Sequence, residues 1–125
     1  MKYFKIAILI IAAMIGLSNR AAYGWVTETS WYSNKETAGR HCADGRYHDL
    51  STEYVAASWD YGFGTRLRVK FHDREVVVVV CDRGPAKRLY YAGRKLDLSL
   101  AAFKKLADPA VGVIDVNVER CEDTD

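Results

Sequence analysis

Five consecutive valines, Val76–Val80, stop abruptly at Cys81-Asp82-Arg83-Gly84-Pro85. No other stretch restricts the fold as much. β-Branched residues favour a pleated backbone, and an unbroken apolar run of this length is expected for a strand buried on both faces. Gly-Pro forces a turn directly after it. Asp82 and Arg83 therefore fall at the strand end, where a rigid element can hold a carboxylate against a ligand. A second charged motif, Lys95-Leu96-Asp97-Leu98-Ser99, follows after a short polar gap.

The first 24 residues read as an export leader. Lys2 and Lys5 precede an apolar block from Ile6 to Leu17, and small residues follow at Ala22-Tyr23-Gly24. The block is short for a membrane-spanning helix. No cysteine lies near the expected cleavage point after Gly24, so a lipoprotein anchor is not expected. The expected location is periplasmic or extracellular, without stable membrane insertion once the leader is removed. Removing Lys2, Lys5 and Arg20 from the 18 basic residues leaves 15 against 16 acidic residues. The near-neutral balance gives no case for nucleic acid or membrane binding. Export permits a disulfide among Cys42, Cys81 and Cys121, and the pairing is open. Three scattered histidines and no paired ligand motif predict neither a metal site nor a cofactor.

The remaining chain suits one small domain over residues 25–120, followed by a charged tail at 121–125 that frays unless Cys121 tethers it. Thr29–Tyr32 reads as a first strand, and Ser33–Ser51 as a long polar loop. Leu67, Val69 and Phe71 alternate with Arg66, Arg68 and Lys70; with the valine run they predict a hairpin over Leu67–Val80. Leu100, Phe103 and Leu106 recur at helical spacing, with Ser99 as N-cap and Asp108-Pro109 as the stop. This is the one helix expected. Val111–Val118 alternates as a closing strand. Many short strands and one helix imply a small β-barrel, which leaves no exposed edge.

Ser30-Trp31-Tyr32, Ala56-Ala57, Phe63-Gly64-Thr65, Asp82-Arg83-Gly84-Pro85 and Asp97-Leu98-Ser99 occur in this order, followed by Ala102-Phe103 and Gly112-Val113. Together they resemble the rare-lipoprotein-A-like (RlpA-like) family over Thr29–Glu119, and the segment from Asp97 also looks like the barrel of expansins. The resemblance implies a mainly β fold, a six-stranded double-psi β-barrel with one short helix, and a shallow groove. It further implies an exported protein acting on peptidoglycan, as a lytic transglycosylase with Asp82 as general acid and base. Active members commonly carry a histidine after the paired alanines, where this chain has Ser58. Two alternatives stay open: a non-catalytic, expansin-like polysaccharide-binding module, which Ser58 favours, and a secreted effector or inhibitor that binds a protein, which the small size and the cysteines permit.

Cleavage of a glycosidic bond needs an acid on the leaving oxygen and passes through an oxocarbenium-like transition state. Asp82 is the expected catalytic group, provided that Arg83 does not neutralise it. Asp97 is a second carboxylate for the same groove. Tyr32 and Trp59 offer aromatic faces to sugar rings, with Ser58 and Arg83 as further substrate-binding candidates. Lys87, Arg88, Arg94 and Lys95 form a basic stretch suited to the carboxylates of a peptidoglycan strand.

Overall fold

The computed structural model describes residues 24–37 and 41–122. The expected leader and the end of the tail lie outside the described residues, as does Arg40; Gly24 already belongs to the first strand. Six strands form a closed barrel: β1 (Gly24–Tyr32), β2 (Val55–Ala57), β3 (Arg66–Phe71), β4 (Arg74–Asp82), β5 (Arg94–Ser99) and β6 (Ile114–Arg120), in the spatial order β1-β5-β2-β4-β3-β6. The β1–β5 and β2–β4 pairs are parallel and the others antiparallel. This is the double-psi β-barrel that the motifs implied.

The expected hairpin is β3–β4, in register from Arg66↔Val79 to Phe71↔Arg74. Its two-residue turn places His72 at φ 54°, in the left-handed region. The valine run differs from expectation. Val76, Val78 and Val80 point into the core, while Val77 is half-buried and Val79 is exposed. The strand is thus apolar on both faces but buried on one. In a barrel this small only the inner face is sealed by the other strands. The closing strand begins at Ile114, because Pro109–Val111 forms a 3₁₀ turn; Ile114, Val116 and Val118 face inward as the alternation predicted.

Among the described residues there are three short helices where one was expected: α1 (Asn34–Thr37), α2 (Lys87–Tyr91) and α3 (Leu100–Lys104). The missed signal for α1 is Ser33-Asn34-Lys35-Glu36, a capping box. Ser33 donates through its N–H to Glu36 Oε2 at 2.8 Å and also through its hydroxyl. α2 has no side-chain cap and no buried residue, so no apolar periodicity announces it. The predicted α3 stops earlier than Ala107, but Phe103 and Leu106 are both buried under the barrel.

The barrel core is built from Leu67, Val69, Val78, Leu96, Leu98, Phe103 and Val118, each wholly buried. A second cluster lies apart from it and consists of Cys42, Leu50, Val55 and Cys81, with Tyr32 against them. It fixes the segment expected as a loop to the end of β4. Ser99 joins these parts. Its hydroxyl donates to Glu53 C=O (2.7 Å) and accepts from Val55 N–H (3.3 Å) and Ala102 N–H (3.3 Å). It therefore caps α3 and ties β2 to β5 with no exposure to solvent. Ser99→Ala removes a cap and strands buried polar groups. We expect a loss of about 2 kcal/mol, read as a lower urea midpoint with an unchanged slope.

Candidate active-site groove

β2 is only three residues long, yet it is paired on both sides. Ala57 stands in register with Asp82 of β4 on one side and with Asp97 of β5 on the other. Directly opposed residues project from the same face of a sheet, and two strand spacings amount to about 10 Å. The two carboxylates therefore flank one methyl group at the floor of a cleft of about 530 Å³. Ala57 must be small, because Gly84 also approaches it: a Cβ on Gly84 would lie 3.3 Å from that of Ala57. Trp31, Tyr32 and Glu36 of the first strand and helix also line it, as do Trp59 and the turn Arg83–Ala86.

Asp82 is almost wholly buried, at 6% exposure. Its Oδ1 accepts from Arg83 N–H (2.9 Å) and from Ala43 N–H (3.0 Å). The Arg83 guanidinium turns away from the carboxylate. Its Nη1 donates to the carbonyls of Ser58 (2.8 Å) and Tyr61 (2.6 Å), and the group stacks 3.9 Å over the Phe63 ring. Arg83 thus holds the loop after β2 in place and does not neutralise Asp82 through an ion pair. Asp82 is oriented by backbone amides, one of them from a segment distant in sequence.

Asp97 is half-buried, and among the described residues its Oδ1 has no hydrogen-bond partner. Burial pushes its carboxyl up to about 6, against the opposing pull of Arg94 and of the Ser30 backbone. Tyr32 lines the same cleft. Burial pushes its phenol well up, so it stays a neutral O–H group, beside the Cys81 thiol. Glu36, which the motifs did not single out, is exposed at the rim, and its hydrogen bond to Ser33 holds its carboxyl low.

Trp59 lies on the rim, where its indole N–H donates to Pro85 C=O (2.7 Å) and Lys87 sits 4.1 Å over its ring. Lys95 faces the ring of Tyr90, whose hydroxyl donates to Asp60 (2.6 Å). The basic stretch is therefore interleaved with aromatic rings beside the groove. The structure brings together Tyr32, Trp59, Asp82, Arg83 and Asp97. It does not bring in Ser58, which has no exposure and whose hydroxyl accepts from Asp60 N–H at 3.0 Å. That serine shapes the turn carrying Trp59. None of the three histidines lines the cleft. His41 is exposed and His72 is at the β3–β4 turn. His48 is clamped between Asp44 (2.9 Å) and Glu53 (3.1 Å). Among the described residues one group has metal-ligand proximity: Cys42, His48 and Cys81, with ligand atoms within 4.8 Å of one another. No spacing in the sequence announced it, since its members lie on three separate segments.

Residues 26–118 match the family described as lytic transglycolase. The chain belongs to this RlpA-like double-psi β-barrel family. It is 46% identical over 97 residues to a probable endolytic peptidoglycan transglycosylase RlpA of Aquifex aeolicus, a match covering 74% of this chain and 40% of that protein. The chain thus spans less than half the length of that relative. Two solved structures share the fold at lower identity. A Streptomyces papain inhibitor aligns at TM-score 0.64 and 23% identity, over 79% of this chain and 94% of its own. An aspartate-to-asparagine mutant of a Clavibacter michiganensis expansin, solved with cellohexaose, aligns at TM-score 0.56 and 22% identity, over 81% of this chain and 52% of its own.

The raised Asp97 carboxyl links stability to pH. Its unfolded value is 3.8 and its folded value about 6, so the folded state binds the extra proton between them. Stability therefore falls as pH rises through that window, and the deficit persists above it. Asp97→Asn removes the deficit. The variant should match wild type near pH 3.5 and exceed it by on the order of 2 kcal/mol at pH 7.5 in denaturant titrations.

Proposed function

We propose that this chain is an exported peptidoglycan lytic transglycosylase domain in which Asp97 and Asp82 divide the proton transfers. The observation that carries the proposal is the pairing of both residues with Ala57 at the cleft floor. Burial pushes the Asp97 carboxyl up to about 6, so it keeps its proton below that pH, which suits it to donate to the glycosidic oxygen as the C1–O bond breaks. The glycan would carry the developing positive charge at C1. Asp82, held by two backbone amides, would face that charge and then take the proton of the sugar's own 6-hydroxyl as its oxygen attacks C1. The products are an anhydro end and a free hydroxyl end, with no water consumed. The motifs alone assign both transfers to Asp82; the raised carboxyl of the half-buried Asp97 favours the division. Tyr32 and Trp59 would seat the sugar rings, and Lys87 would attract the carboxylates of the strand.

A second reading is a wall-binding module without turnover, as an expansin-like domain would be. The burial of Ser58 and the absence of any histidine from the cleft lining favour it. Incubation of the protein with purified sacculi separates the two. We expect anhydro-muropeptides by mass spectrometry, with release reduced roughly 10²–10⁴-fold in both Asp97→Asn and Asp82→Asn. Wild-type activity should decline above about pH 6 as Asp97 ionises. Sacculus binding with no anhydro product would establish the module reading instead.

The tight floor gives an independent check. Ala57→Leu would fill the space between the two carboxylates. Sacculus binding should drop at least about tenfold in a pull-down, since one blocked ring costs more than about 1.4 kcal/mol. Binding equal to wild type would mean that the glycan lies elsewhere.

A further inference from the structure

Cys42 and Cys81 are 39 residues apart in sequence, yet their sulfurs lie 3.5 Å from each other. Both side chains are buried, at 5% and 1% exposure. The segments beside them are joined twice, once through the backbone and once through a side chain. Asp44 N–H donates to Cys81 C=O (3.1 Å), and Ala43 N–H donates to Asp82 Oδ1 (3.0 Å). Ala43 directly follows Cys42, and Asp82 directly follows Cys81. A covalent bond between the sulfurs would therefore brace the hydrogen bond that orients the groove carboxylate.

We propose that Cys42 and Cys81 are an oxidation site, and that the disulfide formed there positions the Asp82 carboxylate through the Ala43 amide. Bond formation stands on the geometry alone; its effect on turnover rests on the transglycosylase reading. The oxidant is a disulfide-bonded thiol oxidant, such as oxidised glutathione or an oxidised dithiol protein. One cysteine loses its proton, and its thiolate attacks one sulfur of the oxidant's S–S bond, giving a mixed disulfide and releasing the oxidant's other sulfur as a thiol. The second cysteine then loses its proton and attacks the protein sulfur of that mixed disulfide, expelling the oxidant as a thiol. Two electrons and two protons leave the pair, and the oxidant's S–S bond is reduced. Burial pushes the Cys81 thiol well up and closes both sulfurs to reagents. Oxidation therefore proceeds before the segment from Cys42 to Leu50 packs down, and the finished bond is shielded from reductants.

Cys121 is not the partner that this geometry selects. Its N–H is bonded to Arg66 C=O, and β3 separates it from β4. A soft divalent cation is the competing occupant, since His48 lies near both sulfurs. However, both ring nitrogens of His48 already engage carboxylates, at 2.9 and 3.1 Å. The ring would have to release one of them to reach a metal.

The test uses the full chain, refolded in a glutathione redox buffer with or without zinc and then alkylated. The expected product is lighter than the reduced protein by two hydrogens and carries one alkyl group, on Cys121, with Cys42 and Cys81 in one linked peptide pair. Three alkylated cysteines, a link to Cys121, or stoichiometric zinc that blocks oxidation would each overturn the proposal. Positioning is read separately from the carboxyl carbon of Asp82 by ¹³C NMR, which needs no turnover. We expect its resonance to move on reduction and in Cys42→Ser/Cys81→Ser, but not in Cys121→Ser. A resonance identical in the oxidised and reduced forms would overturn positioning while leaving the bond intact. With sacculi as substrate, reduction should lower kcat roughly 10–100-fold with little change in KM. If neither form releases anhydro product while the resonance still moves, it is the transglycosylase reading that fails.

Discussion

The site depends on a strand of three residues. β2 completes the barrel by pairing parallel to β4 and antiparallel to β5, and its last residue has an aspartate on each side. Neither aspartate is near the other in sequence. They meet because the barrel closes only if β2 fits between β4, which ends in Asp82, and β5, which carries Asp97 two residues before its end. The neighbouring contacts serve the same joint. Ser58 N–H bonds Asp82 C=O (3.0 Å), Gly64 N–H bonds Val80 C=O (2.8 Å), and Val80 N–H bonds Thr65 C=O (2.9 Å). The segment that follows β2 is thereby laid along β4, and the Arg83 guanidinium fastens it from the other side.

Two carboxylates at the end of an apolar barrel are costly to hold. Asp97 shows the cost, since burial alone drives its carboxyl up and Arg94 offsets only part of that. A chain selected for stability would place an amide there. The barrel can carry the deficit because its interior is continuous: each fully buried Leu, Val or Phe contributes roughly 1.5–3 kcal/mol. Destabilisation confined to one cleft, beside an otherwise satisfied core, is the pattern expected where function and stability compete.

The alternation of β3 and β6, the Ser99 cap and the two aspartate motifs were legible because each rests on a local contrast between apolar and polar residues. The valine run was not, because five identical residues offer no such contrast; only the closed barrel shows that Val77 and Val79 face outward. Arg83 illustrates a different limit. Adjacency to Asp82 suggested an ion pair, but the side chain is long enough to reach two carbonyls and a ring instead. The place of Ser58 after Ala57 suggests a ligand contact, whereas the turn at Asp60 draws its hydroxyl inward. The Ala43 amide on Asp82 could not be read at all, since a backbone group carries no residue signature.

The burial of Ser58 also changes what the missing histidine implies. An imidazole in a site of this kind supplies a proton that is mobile near neutral pH. Here the residue at that position faces away from the cleft, and the three histidines are placed elsewhere. Apart from Arg83, whose guanidinium is engaged by two carbonyls, the ionisable groups that line the cleft are carboxyls and one phenol. Glu36 is held low by Ser33, and the Tyr32 phenol is raised out of the working range. Burial of Asp97 brings a carboxyl to about 6 and so restores to the groove a group that titrates where an imidazole would. On the proposed reading the proton comes from β5 instead of from the residue after β2, and Asp97 is placed for this by its register with Ala57, the neighbour of Ser58.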